Sequence, residues 1–102
     1  MKFGLEDSTL CKMNAIFKQH SAIEMVIIYG SRAKGNYREG SDIDLALKGE
    51  KLDNEIRSMV WLKLDELNTP YLIDILVYDL TSNASLIEHI DRAGQILYKK
   101  GD

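Results

Sequence analysis

Val26-Ile27-Ile28-Tyr29-Gly30-Ser31-Arg32-Ala33-Lys34-Gly35-Asn36-Tyr37-Arg38-Glu39-Gly40-Ser41-Asp42-Ile43-Asp44-Leu45 orders the rest of the chain around itself. Val26 to Tyr29 is an unbroken apolar run, the pattern of a strand buried on both faces. Gly30 lets the backbone leave that strand at dihedrals closed to other residues and come close to a ligand. Ser31 to Lys34 is long enough for one helical turn, whose unpaired N–H groups would sit at the strand end and suit an anion. There the Ser31 hydroxyl can donate to a phosphate oxygen, and Arg32 and Lys34 can add charge. A Gly-Ser pair alone would be better explained as an ordinary strand-to-helix turn.

The chain then re-enters an apolar segment carrying two aspartates. In a strand, residues i and i+2 share a face, so Asp42 and Asp44 project together while Ile43, Leu45 and Leu47 face a core. Neighbouring carboxylates repel and hold protons more tightly unless a cation lies between them. Oxygen ligands of this kind suit Mg2+ bound jointly with substrate phosphates. A third carboxylate, Asp74, stands within Tyr71-Leu72-Ile73-Asp74-Ile75-Leu76-Val77. An isolated charge in so apolar a strand is costly, so Asp74 is expected to be paired, neutral or metal-bound. If its strand lies beside that of Asp42 and Asp44, the three converge. Asp79, at the point where the strand gives way to Leu80-Thr81-Ser82-Asn83, is explained by turn chemistry.

Outside this region the periodicities are simpler. A helix is expected from about Asp7 to His20, capped by Asp7 or Ser8, with Leu10, Met13, Ile16 and Phe17 as its apolar stripe. Gly49-Glu50-Lys51 is a turn, and a second helix runs from about Asp53 to Leu67, with Leu52, Ile56, Val60, Leu64 and Leu67 spaced by three or four. Trp61 falls off that stripe. Ser85-Leu86-Ile87-Glu88 has the form of a capping box for a last helix ended by Gly94. Ile96-Leu97-Tyr98 is a short strand, suited to a sheet edge. His20 and His89 read as surface or helix-end residues. The element order implies an α/β (α+β) sandwich, a small mixed sheet with helices packed on one face. The carboxylates would then project from an open opposite face.

The bounds agree. The 102 residues are expected to form one domain spanning 1–102, with an ordinary share of hydrophobic (45%) and charged (28%) residues. A net charge of −3 argues against general nucleic-acid binding and favours a local phosphate site in the basic loop. One cysteine, Cys11, excludes an internal disulfide and points to a reducing cytoplasm. No stretch reads as a signal peptide or a membrane span. Gly30 to Gly35 has Walker-loop glycine spacing, but Asn36-Tyr37 follows where Lys-Ser/Thr is required, and no Gly-x-Gly-x-x-Gly occurs.

Gly30-Ser31, ten intervening residues, then Asp42-Ile43-Asp44 resembles the signature of the polymerase β-like nucleotidyltransferases. Within that superfamily the chain resembles the minimal nucleotidyltransferases, the MNT (MntA-type) antitoxins paired with helical HEPN proteins. The resemblance implies a polymerase β palm-like fold. It implies that Gly30 and Ser31 hold a nucleoside triphosphate with help from Arg32, that Asp42 and Asp44 bind Mg2+, and that Asp74 is the third catalytic carboxylate. The activity it implies is transfer of AMP from ATP to an acceptor hydroxyl on the HEPN toxin, assisted by two Mg2+ ions. Trp61 and Tyr37 are candidate anchors for that partner, with Lys34 and Arg38 around the nucleotide; packing of Tyr37 over its own loop is an equal alternative. The competing expectation is a non-catalytic nucleotide-binding subunit that neutralises its partner by contact.

Overall fold

The structure, a computed structural model, describes residues 2–38 and 40–101. Four strands form one mixed sheet: β1 (Met25–Tyr29), β2 (Ile43–Lys48), β3 (Ile73–Val77) and β4 (Gln95–Lys99), in the order β3-β2-β1-β4. β1 pairs antiparallel with β2 and with β4, and β2 pairs parallel with β3. The parallel pair needs a crossover, supplied by helix α3 (Asn54–Asp65). Helix α1 (Asp7–Lys18) precedes the sheet, the single turn α2 (Ser31–Lys34) follows β1, and α4 (Ala84–Ala93) joins β3 to β4.

The main core lies under α1 and α3. Met13, Ile16 and Phe17 from α1 and Val60 and Leu64 from α3 meet Val26, Ile28, Ile43, Leu45, Leu47, Ile75 and Val77 from the sheet. Each such side chain removed from water contributes about 1.5–3 kcal/mol. The period-2 alternation of β2 assigns the faces: Ile43, Leu45 and Leu47 are fully buried, and Asp44 and Lys48 are half-buried on the other side.

That other face differs from the expectation of helices on one side only. Helix α4 packs there, burying Ile90 against Tyr29 and Ala46, with Ile27, Leu76, Tyr78 and Leu86 around them. The Tyr78 hydroxyl donates to Asp91 Oδ1 at 2.7 Å and ties the helix down. Hence β1 is apolar throughout, because both of its faces are covered. Helix α4 also starts earlier than expected. Asn83, not Ser85, accepts the Leu86 N–H at its N-terminus, and Glu88 pairs instead with Arg92 at 3.0 Å. Asp53 caps α3 by accepting from Ile56 N–H at 2.8 Å. Helix α1 makes no side-chain cap at Glu6.

β3 is an edge strand, and Trp61 covers part of that edge. Its indole N–H donates to the Ile73 carbonyl at 3.0 Å. This accounts for a tryptophan off the apolar stripe of α3, 38% exposed and still anchored. Among the described residues, no helix is long and apolar enough to cross a membrane.

Candidate active site

The site starts at the end of β1. Gly30 has φ +76° and ψ −154°, a conformation essentially reserved to glycine. It turns the chain directly into α2, whose first residue is Ser31. The first N–H groups of such a turn have no preceding carbonyl to bond, so they are available to an anion. A second reason requires glycine here: a Cβ on Gly30 would lie 2.5 Å from Asp44 Oδ2. The turn and the carboxylate occupy adjoining space, and only a missing side chain lets them do so.

Strand pairing supplies the rest. Tyr29 stands opposite Asp44 in the β1–β2 ladder, and Asp44 stands beside Asp74 in the β2–β3 ladder. Neighbouring strands lie about 4.8 Å apart, so the two carboxylates share one patch of the sheet surface. Asp42 precedes β2, where Ile43 N–H donates to the Leu72 carbonyl at 2.9 Å and carries the parallel pairing to its end. Asp42 and Asp74 are exposed, and Asp44 is half-buried.

The electrostatics reflect this crowding. Burial pushes the Asp44 carboxyl above the usual carboxylate range, and the charges of Asp74 and then Asp42 push it further, with His89 opposing. Burial likewise pushes the Tyr29 hydroxyl up to about 12, helped by Asp44 and then Asp74. A carboxyl whose ionisation is opposed by neighbouring negative charge, as at Asp44, is one that a cation would relieve. Hard carboxylate oxygens, partly open to water, are the donor set that suits Mg2+. Among the described residues, no group of three or more His, Cys, Asp or Glu side chains is drawn together closely enough to hold a metal ion by itself.

Lys34 is exposed at the end of α2, on the side of the turn that faces solvent. Arg32 is placed otherwise. The residue is 2% exposed, and its guanidinium donates to main-chain carbonyls of Ser41 and Phe3, not outward toward a ligand. Asp79 lies in the 3-10 turn Tyr78–Leu80, at the opposite end of the sheet, in a surface hollow with Glu24, Lys48 and Lys99. Sequence reasoning gave Tyr29 no role at the site and read His89 as a surface or helix-end residue, yet the two meet edge-to-face with ring centroids 6.2 Å apart at the border of the carboxylates. Tyr29 could have been found from its place at the strand end before Gly30. No local signal announces His89, which α4 brings in from a distant part of the chain.

The family described as polymerase beta nucleotidyltransferase matches residues 11–102. The chain belongs to that family. No curated protein matches it. Among solved structures, this nucleotidyltransferase domain is similar in fold to a chain of a toxin–antitoxin crystal structure with AMP-PNP. The TM-score is 0.72 at 21% identity, covering 95% of this chain and 76% of the other. It is similar also to a chain of the MntA–HepT toxin–antitoxin (TM-score 0.69, 19% identity, 92% of this chain and 73% of the other). A third is from the tri-AMPylated Shewanella oneidensis HEPN toxin in complex with MNT antitoxin (TM-score 0.70, 18% identity, 93% and 73%).

Proposed function

We propose that this nucleotidyltransferase is an Mg2+-dependent protein adenylyltransferase. It moves AMP from ATP to a hydroxyl on a helical HEPN-type partner and so acts as an antitoxin. The observation that carries the reading is the contiguity of the Gly30-Ser31 turn with Asp44 and Asp74, held in register on adjacent strands. A site for phosphates and a site for a cation share one wall.

Each residue then has a task. Gly30 brings the backbone close to the triphosphate, and the Ser31 hydroxyl donates to a phosphate oxygen. Lys34 adds charge from the rim. Asp42, Asp44 and Asp74 are the residues to hold Mg2+, which when bound would neutralise charge on the phosphates. Asp74, the most open of the sheet's carboxylates, is also placed to orient the acceptor hydroxyl and take its proton. The reaction breaks the bond between the α- and β-phosphates, joins the α-phosphate to the acceptor oxygen and releases pyrophosphate. Positioning and charge neutralisation supply most of the rate.

The choice of ATP and of a protein acceptor is supported by the similar folds, one with AMP-PNP and one beside a tri-AMPylated HEPN toxin. Leu72, 76% exposed, comes two residues before Asp74 and lines a surface hollow with Trp61, while Trp61 and Leu62 line another with Asp74, an apolar border suited to a macromolecular acceptor. We read residues 1–102 as a single minimal domain working in the cytoplasm, where the exposed Cys11 thiol stays reduced.

The test is incubation with Mg2+, the co-expressed HEPN-type protein and ATP labelled at either the α- or the γ-phosphate. Label from the α position should appear on the partner and label from the γ position should leave as pyrophosphate. Tight binding of the partner with no transfer from either position would instead establish a neutralising subunit that acts by contact.

A further inference from the structure

Among the described residues, Arg32 is the only charged or polar side chain in the buried class. Its environment is built for a guanidinium. Nε and Nη2 both donate to the Ser41 carbonyl, at 3.1 and 2.7 Å, and Nη1 donates to the Phe3 carbonyl at 2.8 Å. The Tyr71 ring lies 4.4 Å from the guanidinium carbon and the Tyr37 ring 5.4 Å from it. Gly4 closes the group from the side, since a Cβ there would come within 2.9 Å of Nη1. Burying a charge is costly unless it is well bonded. Three carbonyl bonds and two rings offset that cost here, and every one of them comes from a different segment than α2.

The consequence falls on Asp42. The Ser41 carbonyl and the Asp42 N–H belong to one rigid peptide plane. Holding that oxygen fixes the plane from which Asp42 departs. On its other side Ile43 N–H is held by the Leu72 carbonyl, and Leu72 follows the Tyr71 that stacks on Arg32. The Ser41 turn is closed upon itself by Arg38 N–H donating to Ser41 Oγ at 2.8 Å. Asp44 needs no such help, because it lies inside the ladders on both sides. Asp42 lies outside them.

We infer that Arg32 is a positioning residue that sets the Asp42 carboxylate for the cation site by gripping the Ser41 carbonyl, and that it does not contact the nucleotide. The inference rests on the nucleotidyl-transfer reading for its purpose, and on the hydrogen bonds alone for its geometry. The planar fork matters: lysine keeps the charge but cannot place two donors on one oxygen and a third on another while stacked between rings.

The test uses Arg32→Lys in the full chain, below its melting temperature. Exchange of the Ile43 amide should quicken at least about tenfold while the β1 amides stay protected. Mn2+ binding, read by electron paramagnetic resonance without nucleotide, should weaken as it does in Asp42→Asn, and adding Arg32→Lys to Asp42→Asn should weaken it no further. In the transfer assay the Mg2+ requirement should rise while KM for ATP at saturating Mg2+ stays within about twofold. A KM for ATP raised about tenfold with an unchanged metal requirement would make Arg32 a phosphate contact and overturn the inference. Unchanged Ile43 exchange together with unchanged Mn2+ binding would reduce it to packing. Should Arg32→Lys fail to fold, Tyr71→Leu leaves every donor in place and must give the same changes in smaller measure; no change would refute the inference. If the wild-type chain transfers no nucleotide, the proposed function falls, and the exchange and Mn2+ measurements still judge Arg32.

Discussion

Replacing Gly30 with alanine should damage the protein in two separable ways. The first is backbone strain. At φ +76° and ψ −154° an L-residue costs about 1–3 kcal/mol. The second is the approach of the new Cβ to Asp44 Oδ2 at 2.5 Å, well inside the 3.4 Å where ordinary contact begins. The Asp44 backbone is locked by β1 on one side and β3 on the other, so the side chain must leave its rotamer, at about 0.5–1.5 kcal/mol. Together these give roughly 2–4 kcal/mol, and a melting temperature lower by about 10–25 °C for a domain of this size. Moving a carboxylate by about 1 Å should also cost about 100-fold or more in transfer rate. Gly35→Ala is the control. Gly35 has φ +83° but nothing within 4 Å of a new Cβ, so it should lose only about 1–2 kcal/mol and keep its activity. Denaturant melts of both variants, alone and with Asp44→Ala, separate the effects. The Gly30–Asp44 pair should couple by about 0.5–1.5 kcal/mol, and the Gly35–Asp44 pair should add within about 0.5 kcal/mol. Zero coupling at Gly30, or equal activity in Gly30→Ala and Gly35→Ala, would refute the claim that the turn and the carboxylate share their space.

Three further outcomes are expected. Asp44 holds its proton more tightly when folded than when unfolded, so stability should fall as pH rises from the ordinary carboxylate range through its raised folded value and then stay low. Asp44→Asn should therefore raise the melting temperature of the metal-free protein at neutral pH and abolish transfer, with the gain shrinking as pH is lowered into the acid range. Asp74→Asn should abolish transfer and Asp79→Asn should leave it nearly intact, because the two stand at opposite ends of the sheet; the reverse pattern in a label-transfer assay would show the site is placed at the wrong end. Trp61→Phe should lose the bond to the Ile73 carbonyl and about 0.5–1.5 kcal/mol, measured by denaturant melts, and an unchanged midpoint would show that water replaces the indole without loss.

Much was legible in the chain because it depended on local rules. The alternation from Asp42 to Leu47 placed the aspartates on one face and the aliphatics on the other, since a strand offers only two sides. Gly30 could be read as a turn because glycine alone tolerates the dihedrals found there. Asp53 as the start of a helix, Trp61 as a residue outside the apolar stripe and β4 as an edge strand follow from equally short-range patterns.

Tertiary structure decided what depends on partners distant in sequence. Whether Asp74 meets Asp44 turned on parallel pairing across α3, and a strand's sequence does not name its neighbour or its register. Helix α4 lies on the carboxylate side of the sheet, bringing His89 to Tyr29, because Tyr29, Ala46 and Ile27 make an apolar half-face that must be covered. Arg32 is the clearest case. In the sequence it is a cation beside a phosphate turn, and the nearest anion is its natural partner. In the fold, the Phe3 and Ser41 carbonyls and two tyrosine rings reach it first. The sequence determined that a basic, glycine-flanked turn stands before two aspartates. Only the packed chain determined which cation stays open to solvent and which is buried, because burial assigns a charge to whatever acceptors the fold brings within about 3 Å.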